Sequence, residues 1–591
     1  MTKTEKDTGK AFDYKLLKRL LHYIKPYRIT FFGVVIAAIL LSVFAILSPV
    51  LLREVVNTAL ENKDQSLLLN LIVLMLVVLL SEVASQLAFV YYANWLGESV
   101  IKDIRIKLFQ HMLNFKMKYF DTSSVGLLVT RAVTDIQRIG EIFSQGFFMI
   151  VADLLKMVIV AGVMLFYSWK LALIVFAIMP ILLYAIKLFQ RAMKGAFIDV
   201  RAQVSNLNTF VQERLTGMKI VQLFNREKIE KEKFREINDK HQKAWLKTVW
   251  YNSIFFPIAE IVSSVAIGLI VWYGGLRVVF NDDLSELGTI FMFIQLSQML
   301  FRPLRQIADK FNVLQMGMVA ANRVFAILDK DTVILDEGEY SKSSIRGDIS
   351  FKNVRFGYIE GEEVLHSISF DVKAGETVAI VGATGAGKST IINLLNRFYE
   401  INSGQILVDG VDIKDYNLAS LRSEIAVVLQ DVFLFADTIE NNISLKNEDI
   451  TLVAITQAAQ EISVHDFISS LPNEYQYNVK ERGSMLSSGQ RQLLAFLRAY
   501  VSNPSILILD EATSSVDTYS EQLIQKATEK ITQGRTSIVI AHRLATIKKA
   551  DKILVMDSGE IIESGTHKEL LKKGGYYRSL YEAQFLAEEV A

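Results

Sequence analysis

GATGAGKST, at positions 382–390, decides how this chain is read. The run fits G-x-x-x-x-G-K-[ST], a loop whose backbone N–H groups wrap nucleotide phosphates. Gly382, Gly385 and Gly387 let the backbone come close where a Cβ would obstruct the phosphates. Lys388 is spaced to reach the β- and γ-phosphates, and the Ser389 hydroxyl to ligate Mg²⁺. Thr384 and Thr390 complete the expected nucleotide-contacting positions on the loop. Upstream, ETVAIV (376–381) reads as a buried strand; downstream, TIINLLNRF (390–398) reads as the helix that receives the anion at its N-terminus. Strand before and helix after carry the pattern well beyond a chance match. The chain is expected to bind ATP or GTP.

Composition bounds what surrounds that loop. The chain has 591 residues, enough for several domains at about 150 residues each. Hydrophobic residues make up 51%, and the excess lies almost wholly before residue 320. A net charge of +1 gives no global electrostatic case for a nucleic-acid partner. The absence of cysteine excludes disulfides, thiol catalysis and cysteine metal sites. The seven histidines include no H-x-x-x-H pair of zinc-site spacing.

Six stretches, 29–52, 67–92, 143–167, 169–189, 252–279 and 287–311, are long and apolar enough to cross a bilayer, which takes about 20 helical residues. The last is the least hydrophobic, carrying Gln295, Gln298, Arg302 and Arg305. The connections 93–142 and 190–251 are long and rich in Lys and Arg, which places them and both termini on the cytoplasmic side. An even number of spans puts the nucleotide site in that same compartment. Ahead of the first span, FDYKLLKRLLHYIKPY (12–27) is basic and amphipathic and lacks a small-residue cleavage site, so it reads as an interfacial helix.

Both long connections carry apolar residues at helical spacing: Leu108, Met112, Phe115 and Tyr119 in one, Val211, Leu215, Met218 and Leu223 in the other. The interruptions YFDTSSVG (119–126) and ERLTGMK (213–219) are expected to be tips that touch the nucleotide domain. Glu82, Asp153, Lys156 and Glu260 fall within spans, where ionisable residues are costly and often line a cavity. Substrate contact competes there with structural pairing, since Asp153 and Lys156 stand at i, i+3 and can neutralise each other.

Downstream of the phosphate loop, ILILDE (Ile506–Glu511) reads as a buried strand ending in two carboxylates. Asp510 suits Mg²⁺ coordination, and Glu511 is placed to polarise an attacking water. His542 follows a further strand, TSIVIA (Thr536–Ala541), in reach of a γ-phosphate. Strands alternating with helices predict a parallel α/β sheet with its ligand at the strand ends.

Between these elements lies ERGSMLSSGQRQ (481–492), with the string LSSGQ (486–490). On these motifs together the chain resembles an ATP-binding cassette exporter, in which six spans are fused ahead of one nucleotide-binding domain. The resemblance runs from the interfacial helix to about Ala583. It implies that Tyr358, in the FGY string, stacks on adenine, and that Gln430, in VVLQDVFLF, senses Mg²⁺ and the attacking water. Ser487, Gly489 and Gln490 resemble the signature residues that bind the γ-phosphate of ATP held by the opposite subunit. Residues 514–517 (SSVD) correspond to the loop linking the two sites, Glu481 and Arg482 to the segment that meets the coupling tips, and His542 to the histidine that holds the γ-phosphate. Ser488 replaces the more usual glycine of LSGGQ, and Leu497 stands where many relatives have alanine. Glu511 is intact, so nothing argues for an inactive ATPase.

The resemblance implies a multidomain chain: a cytoplasmic N-terminal or elbow helix (1–28), a six-helix transmembrane domain with long cytoplasmic helical loops (29–325), a linker (326–346) and an α/β P-loop nucleotide-binding domain (347–591). The expected activity is ATP hydrolysis, with Mg²⁺, coupled to export of a hydrophobic or amphipathic drug or lipid across the bacterial inner membrane. The expected partner is a second half-transporter, a homodimer being favoured over a heterodimer; an ATP-gated channel or regulator is the alternative from another class. Membrane lipid is a further expected partner and nucleic acid is not. With no additional domain ahead of the first span, a leader-cleaving peptide exporter is disfavoured.

Overall fold

This computed structural model describes residues 14–61, 65–281, 286–334, 336, 338–342, 344–511, 518–541 and 544–584. The chain divides into two units, Met1–Leu113 with Val125–Asp331, and Asn114–Ser124 with Thr332–Ala591.

The first unit is helical. It opens with α1 (Tyr14–His22), whose Leu17 and Leu20 are buried while Lys15 and Lys18 are exposed, the two-sided pattern of an interfacial helix. Then come α2 (Arg28–Glu61) and α3 (Gln65–Leu113), followed by the short α4 (Met117–Thr122) of the other unit. The third span is assembled from α5 (Val125–Thr130), α6 (Ile136–Glu141) and α7 (Phe148–Tyr167), joined by π turns at Arg131–Asp135 and Ile142–Phe147. The unit ends with α8 (Trp169–Thr216), α9 (Met218–Leu223), α10 (Glu227–Asn281) and α11 (Glu286–Leu328). Six of these helical runs are long and apolar enough to cross a membrane. With 49 residues, α3 is about 70 Å long, more than twice the roughly 30 Å hydrocarbon core, so the spans continue past the bilayer as helices. Leu69, Leu87 and Trp272 are more than 60% exposed, which suits lipid as the surrounding solvent. Inside, Val175, Leu182, Ile270, Leu296 and Phe301 are almost fully buried, and Phe189 stacks on Phe255 with centroids 4.0 Å apart. Pro49, Pro180, Pro257 and Pro303 each lie inside a spanning helix, a position that membrane helices tolerate better than soluble ones.

One periodicity does not survive. Leu108 to Tyr119 do not share a helix, because α3 stops at Leu113 and Lys116 turns extended, with ψ 144°. Phe115 instead forms an antiparallel bridge to Val333, a pairing that no local spacing announces. In the second connection the break falls where glycine weakens the helix: α8 ends at Thr216 and α9 begins at Met218, with Gly217 between them.

The second unit is built on two sheets. Strands β1 (Ile349–Phe356), β2 (Leu365–Val372), β4 (Ser403–Val408) and β5 (Val411–Asp412) form an antiparallel sheet ordered β2-β1-β4-β5. The larger sheet, ordered β10-β9-β3-β8-β7-β6, takes β3 (Thr377–Gly382), β6 (Ile425–Val428), β7 (Ile506–Glu511), β8 (Thr536–Ala541), β9 (Lys552–Asp557) and β10 (Glu560–Gly565). All its neighbours are parallel except β9 and β10. The helices that matter here are α12 (Lys388–Leu395), α13 (Leu418–Ser423), α14 (Ile439–Ser444), α15 (Leu452–Glu461), α16 (His465–Ser469) and α17 (Ser488–Val501).

Strand alternation sorts these helices onto two sides. Val378, Ile380, Ile506, Ile508, Ile538 and Ile540 pack in one core with Ile391, Ile392, Leu394 and Leu395 of α12. Their chain neighbours Ala379, Val381, Leu507, Leu509 and Val539 pack in another core with Leu493, Leu494, Phe496 and Leu497 of α17. Successive strand residues point to opposite faces, so α12 and α17 cover opposite faces of the central sheet. A parallel sheet covered on both sides has the near-continuous apolar strands seen in TVAIVG and ILILDE.

Candidate nucleotide site and charged residues of the spans

The phosphate loop runs from the end of β3 into α12. Gly387 is the N-cap of α12 at φ 96°, a left-handed conformation that favours glycine. A Cβ on Gly382 would collide with the Met556 carbonyl of the neighbouring strand, and one on Gly387 would lie 2.7 Å from Leu365. Gly385, at φ 89°, bends the loop between them, beside exposed Thr384. The Lys388 ammonium donates to the carbonyls of Gly382 and Ala383 at 2.7 and 2.9 Å. Burial holds it below its ordinary pKa, and the Asp510 carboxylate pulls the other way. Ser389 is exposed at the first turn of α12, where unpaired backbone N–H groups and the helix dipole favour an anion.

Thr390 is buried, and its hydroxyl accepts from the Tyr358 hydroxyl at 3.2 Å. Asn393 Nδ2 in turn donates to the Tyr358 hydroxyl at 3.1 Å. The aromatic expected to stack on adenine is thus moored to the phosphate-binding helix. Asn393 went unnoticed in the sequence, although its i, i+3 spacing from Thr390 places both on one helix face.

Sheet register aligns the remaining groups. Ile380 on β3 and Asp510 on β7 both pair with Ile540 of β8 between them, so Asp510 stands beside the phosphate loop at the strand ends. Glu511 follows as the last residue of β7. Gln430 lies two residues beyond β6 and is exposed, as are Leu429, Phe433 and Phe435 near it. His542 and residues 514–517 lie outside the described residues.

LSSGQ turns out to carry a structural role as well. Ser487 caps α17: its hydroxyl accepts from the Gln490 N–H at 3.2 Å, while the Gln490 Oε1 accepts from the Ser487 N–H at 2.9 Å. This is a capping box, S-x-x-Q, which could have been read from the spacing alone. Gly489 is buried, whereas Ser487 and Ser488 are exposed at the helix start. The helix that the signature turn opens, α17, and the phosphate-binding helix α12 cover opposite faces of the sheet.

The charged residues of the spans pair differently from their local spacing. Asp153 on α7 pairs with Lys310 on α11 rather than with Lys156. Glu260 on α10 pairs with Arg305 on α11 at 2.7 Å. Lys156 has Glu82, Asp153 and Arg302 in electrostatic reach, so four of these groups form one cluster. A cavity of about 500 Å³, lined by Pro257, Glu260, Ile261, Ser264 and Val265, opens along α10.

Comparison with known proteins agrees with this architecture. Residues 31–304 match the model of the ABC transporter transmembrane region, and residues 365–514 match that of the ABC transporter. An uncharacterized ABC transporter ATP-binding protein of Bacillus subtilis, YknV, is 35% identical over 579 residues, covering 98% of this chain and 96% of that one. An ATP-dependent lipid A-core flippase of Mannheimia succiniciproducens is 36% identical over 574 residues, covering 96% and 97%. Among solved structures, that of a bacterial Atm1-family ABC exporter with ATP bound superposes with a TM-score of 0.75 at 25% identity, covering 94% of this chain and 98% of the other.

Proposed function

The chain belongs to the ATP-binding cassette transporter family, as an integral multi-pass protein whose ATPase domain is cytoplasmic and coupled to transport; from this we propose that it exports a hydrophobic or amphipathic drug or lipid as a homodimer. The observation that carries the dimer is the placement of α12 and α17 on opposite faces of one sheet. This supports a reading in which the phosphate loop of one subunit is completed by the signature turn of the other, giving two sites at the interface.

In this reading Gly382, Thr384, Gly385, Gly387, Lys388 and Ser389 cradle the phosphates, Tyr358 stacks on adenine, and Thr390 holds Tyr358. Ser487, Gly489 and Gln490 of one subunit face the γ-phosphate bound by the other. Glu511 polarises the attacking water, with His542 and Gln430 at the γ-phosphate. Among the described residues no three Asp, Glu or His side chains cluster as a metal cage. One carboxylate, Asp510, with the neutral oxygens of Ser389 and Gln430, suits Mg²⁺, which keeps waters and phosphate oxygens as its other ligands. Bound there, Mg²⁺ would neutralise charge on the β- and γ-phosphates.

ATP binds the closed dimer more tightly than the open one, and that difference drives the change from inward- to outward-facing. The ion pairs Asp153–Lys310 and Glu260–Arg305, set among apolar spans, support a cargo with a polar head and an apolar body. The lipid A-core flippase relative supports a lipid in particular. The test is ATP hydrolysis by this chain alone in lipid vesicles, beside Glu511→Gln. Robust turnover, lost in the variant, supports a self-sufficient homodimer; folded, ATP-binding protein without turnover would overturn it in favour of a second, different subunit.

A further inference from the structure

Residues 114–124, which hold all but the last two positions of the first cytoplasmic tip, belong to one compact unit with the aromatic platform of the nucleotide site. Residues 114–116 are stitched to 332–334: Lys116 N–H donates to the Thr332 carbonyl at 2.8 Å, and Ile334 N–H donates to that of Asn114 at 2.9 Å. From α4, within the same tip, the Asp121 carboxylate accepts a hydrogen bond from the Tyr399 hydroxyl. The Tyr399 ring stands edge-on to Tyr358, with centroids 5.0 Å apart and planes at 90°. Both rings also stand edge-on to Phe356, at 4.8 Å for Tyr358 and 5.7 Å for Tyr399, and Phe356 is only 3% exposed. Lys116 and Lys118 of the tip line, together with Tyr358 and Tyr399, a cavity of about 190 Å³.

We propose that Asp121 and Tyr399 are positioning residues for the adenine base, so that the seating of the first tip sets nucleotide affinity through the Tyr358 ring. The proposal rests on the reading of Tyr358 as the base-stacking residue. A tyrosine offers a base its flat face only while the ring is held from turning about its own axis. At one end of Tyr358 its hydroxyl is held by Thr390 and Asn393. Along its side it is held by Tyr399, in an edge-on contact worth about 1 kcal/mol. Asp121 fixes Tyr399 in turn, and a tip that shifts takes that carboxylate with it. Linkage makes the effect mutual: a base stacked on Tyr358 favours the seated tip by the same factor by which the seated tip favours the base. This route begins at the base and runs through side chains that touch neither phosphate nor metal.

The test is steady-state hydrolysis by full-length protein in lipid, comparing Tyr358→Ala, Tyr399→Phe, Asp121→Asn and the double variant Tyr358→Ala with Tyr399→Phe. Losing the stacking ring raises the KM for ATP about tenfold. Tyr399→Phe removes this hydrogen bond and raises KM about threefold, with kcat nearly unchanged, whereas Asp121→Asn keeps an accepting oxygen, loses only the charge and raises KM less than threefold. In the Tyr358→Ala background, Tyr399→Phe adds nothing, because its only route to the base is gone. A merely structural tip contact would instead lower kcat and leave KM alone, which overturns the proposal. So does a threefold effect of Tyr399→Phe that persists without Tyr358. An unchanged KM for Tyr358→Ala itself overturns the base-stacking reading and the proposal with it, whereas an effect of Tyr358→Ala alone overturns only the relay.

Discussion

Arg19 grips Asp329 with two parallel hydrogen bonds of 2.6 and 2.7 Å across 310 residues of chain. The guanidinium also lies 4.0 Å over the Phe325 ring, which stacks on Tyr23 with centroids 6.1 Å apart. The amphipathic first helix is thereby tied to the end of the last spanning helix. The hydrogen bond to Arg19 holds the Asp329 carboxyl below its ordinary range. A carboxylate with a depressed pKa contributes fully above its ordinary value of about 4, and that contribution is lost as pH falls through the depressed one. The side chains are 39% and 56% exposed, so solvent screening limits the clamp to about 1 kcal/mol at most. Hydrogen exchange in α1, corrected for the intrinsic rate, should rise several-fold between about pH 6 and pH 3. Arg19→Ala should show the raised rate already at the upper pH; equal rates in both proteins would refute the clamp.

Asp135 sits in the π turn between α5 and α6, only 6% exposed. It pairs with Arg131 and lies 3.8 Å from Arg323 of α11. Asp135→Asn leaves both guanidinium groups without their counter-charge. Arg323 is 52% exposed and can turn to water, which places the expected loss at about 2–3 kcal/mol, the lower part of the range for a broken buried pair. Thermal unfolding of the solubilised protein should shift to lower temperature; an unshifted profile would mean the pair contributes no net stability.

Ser487 serves as a helix cap and, in our reading, as a γ-phosphate ligand, and these roles can be separated. Ser487→Ala removes the cap and costs about 1 kcal/mol. Aspartate caps as well as serine, so Ser487→Asp should keep the stability of α17. Its carboxylate would nevertheless oppose the γ-phosphate of the partner's ATP, and hydrolysis should fall by more than about tenfold. A stable Ser487→Asp protein with full ATPase activity would reduce Ser487 to a cap.

Lys388 is a buried ammonium held below its ordinary pKa by desolvation. For a lysine shifted in that direction the charged form is the less favoured one in the folded state, so its burial opposes folding at neutral pH and less so as pH rises. Lys388→Met relieves that cost and removes the charge meant for the phosphates. Without nucleotide the variant should melt no lower than the parent. The parent should gain about 2.7 kcal/mol at ATP one hundred times its Kd, a gain the variant should lack. An ATP-dependent melting shift that survives in Lys388→Met would remove Lys388 from the site.

Much of the site was legible in the sequence because its parts are contiguous. A phosphate loop needs glycine, lysine and serine at fixed offsets on a strand-to-helix turn, and 382–390 displays all of them within nine residues. Spanning helices announce themselves by length and apolarity, which a bilayer demands of each segment separately. The signature string is legible by resemblance, and its capping box is equally local, since S-x-x-Q at Ser487 and Gln490 is a helix-start spacing. The interruption expected within 119–126 is present between α4 and α5, while the further break after Leu113 has no local signal, since the strand-like turn there depends on Val333.

The amino-acid sequence alone therefore determined the six spans, the phosphate loop and the strand ending in Asp510 and Glu511, each written in a short window of spacing and hydrophobic pattern. Tertiary structure decided which partners those residues meet. Asp153 finds Lys310 157 positions away instead of Lys156 beside it, and Tyr399 finds Asp121 278 positions back. The two faces of the central sheet send α12 one way and α17 the other. Such pairings depend on how finished elements pack against one another, and no local window of sequence contains the far partner.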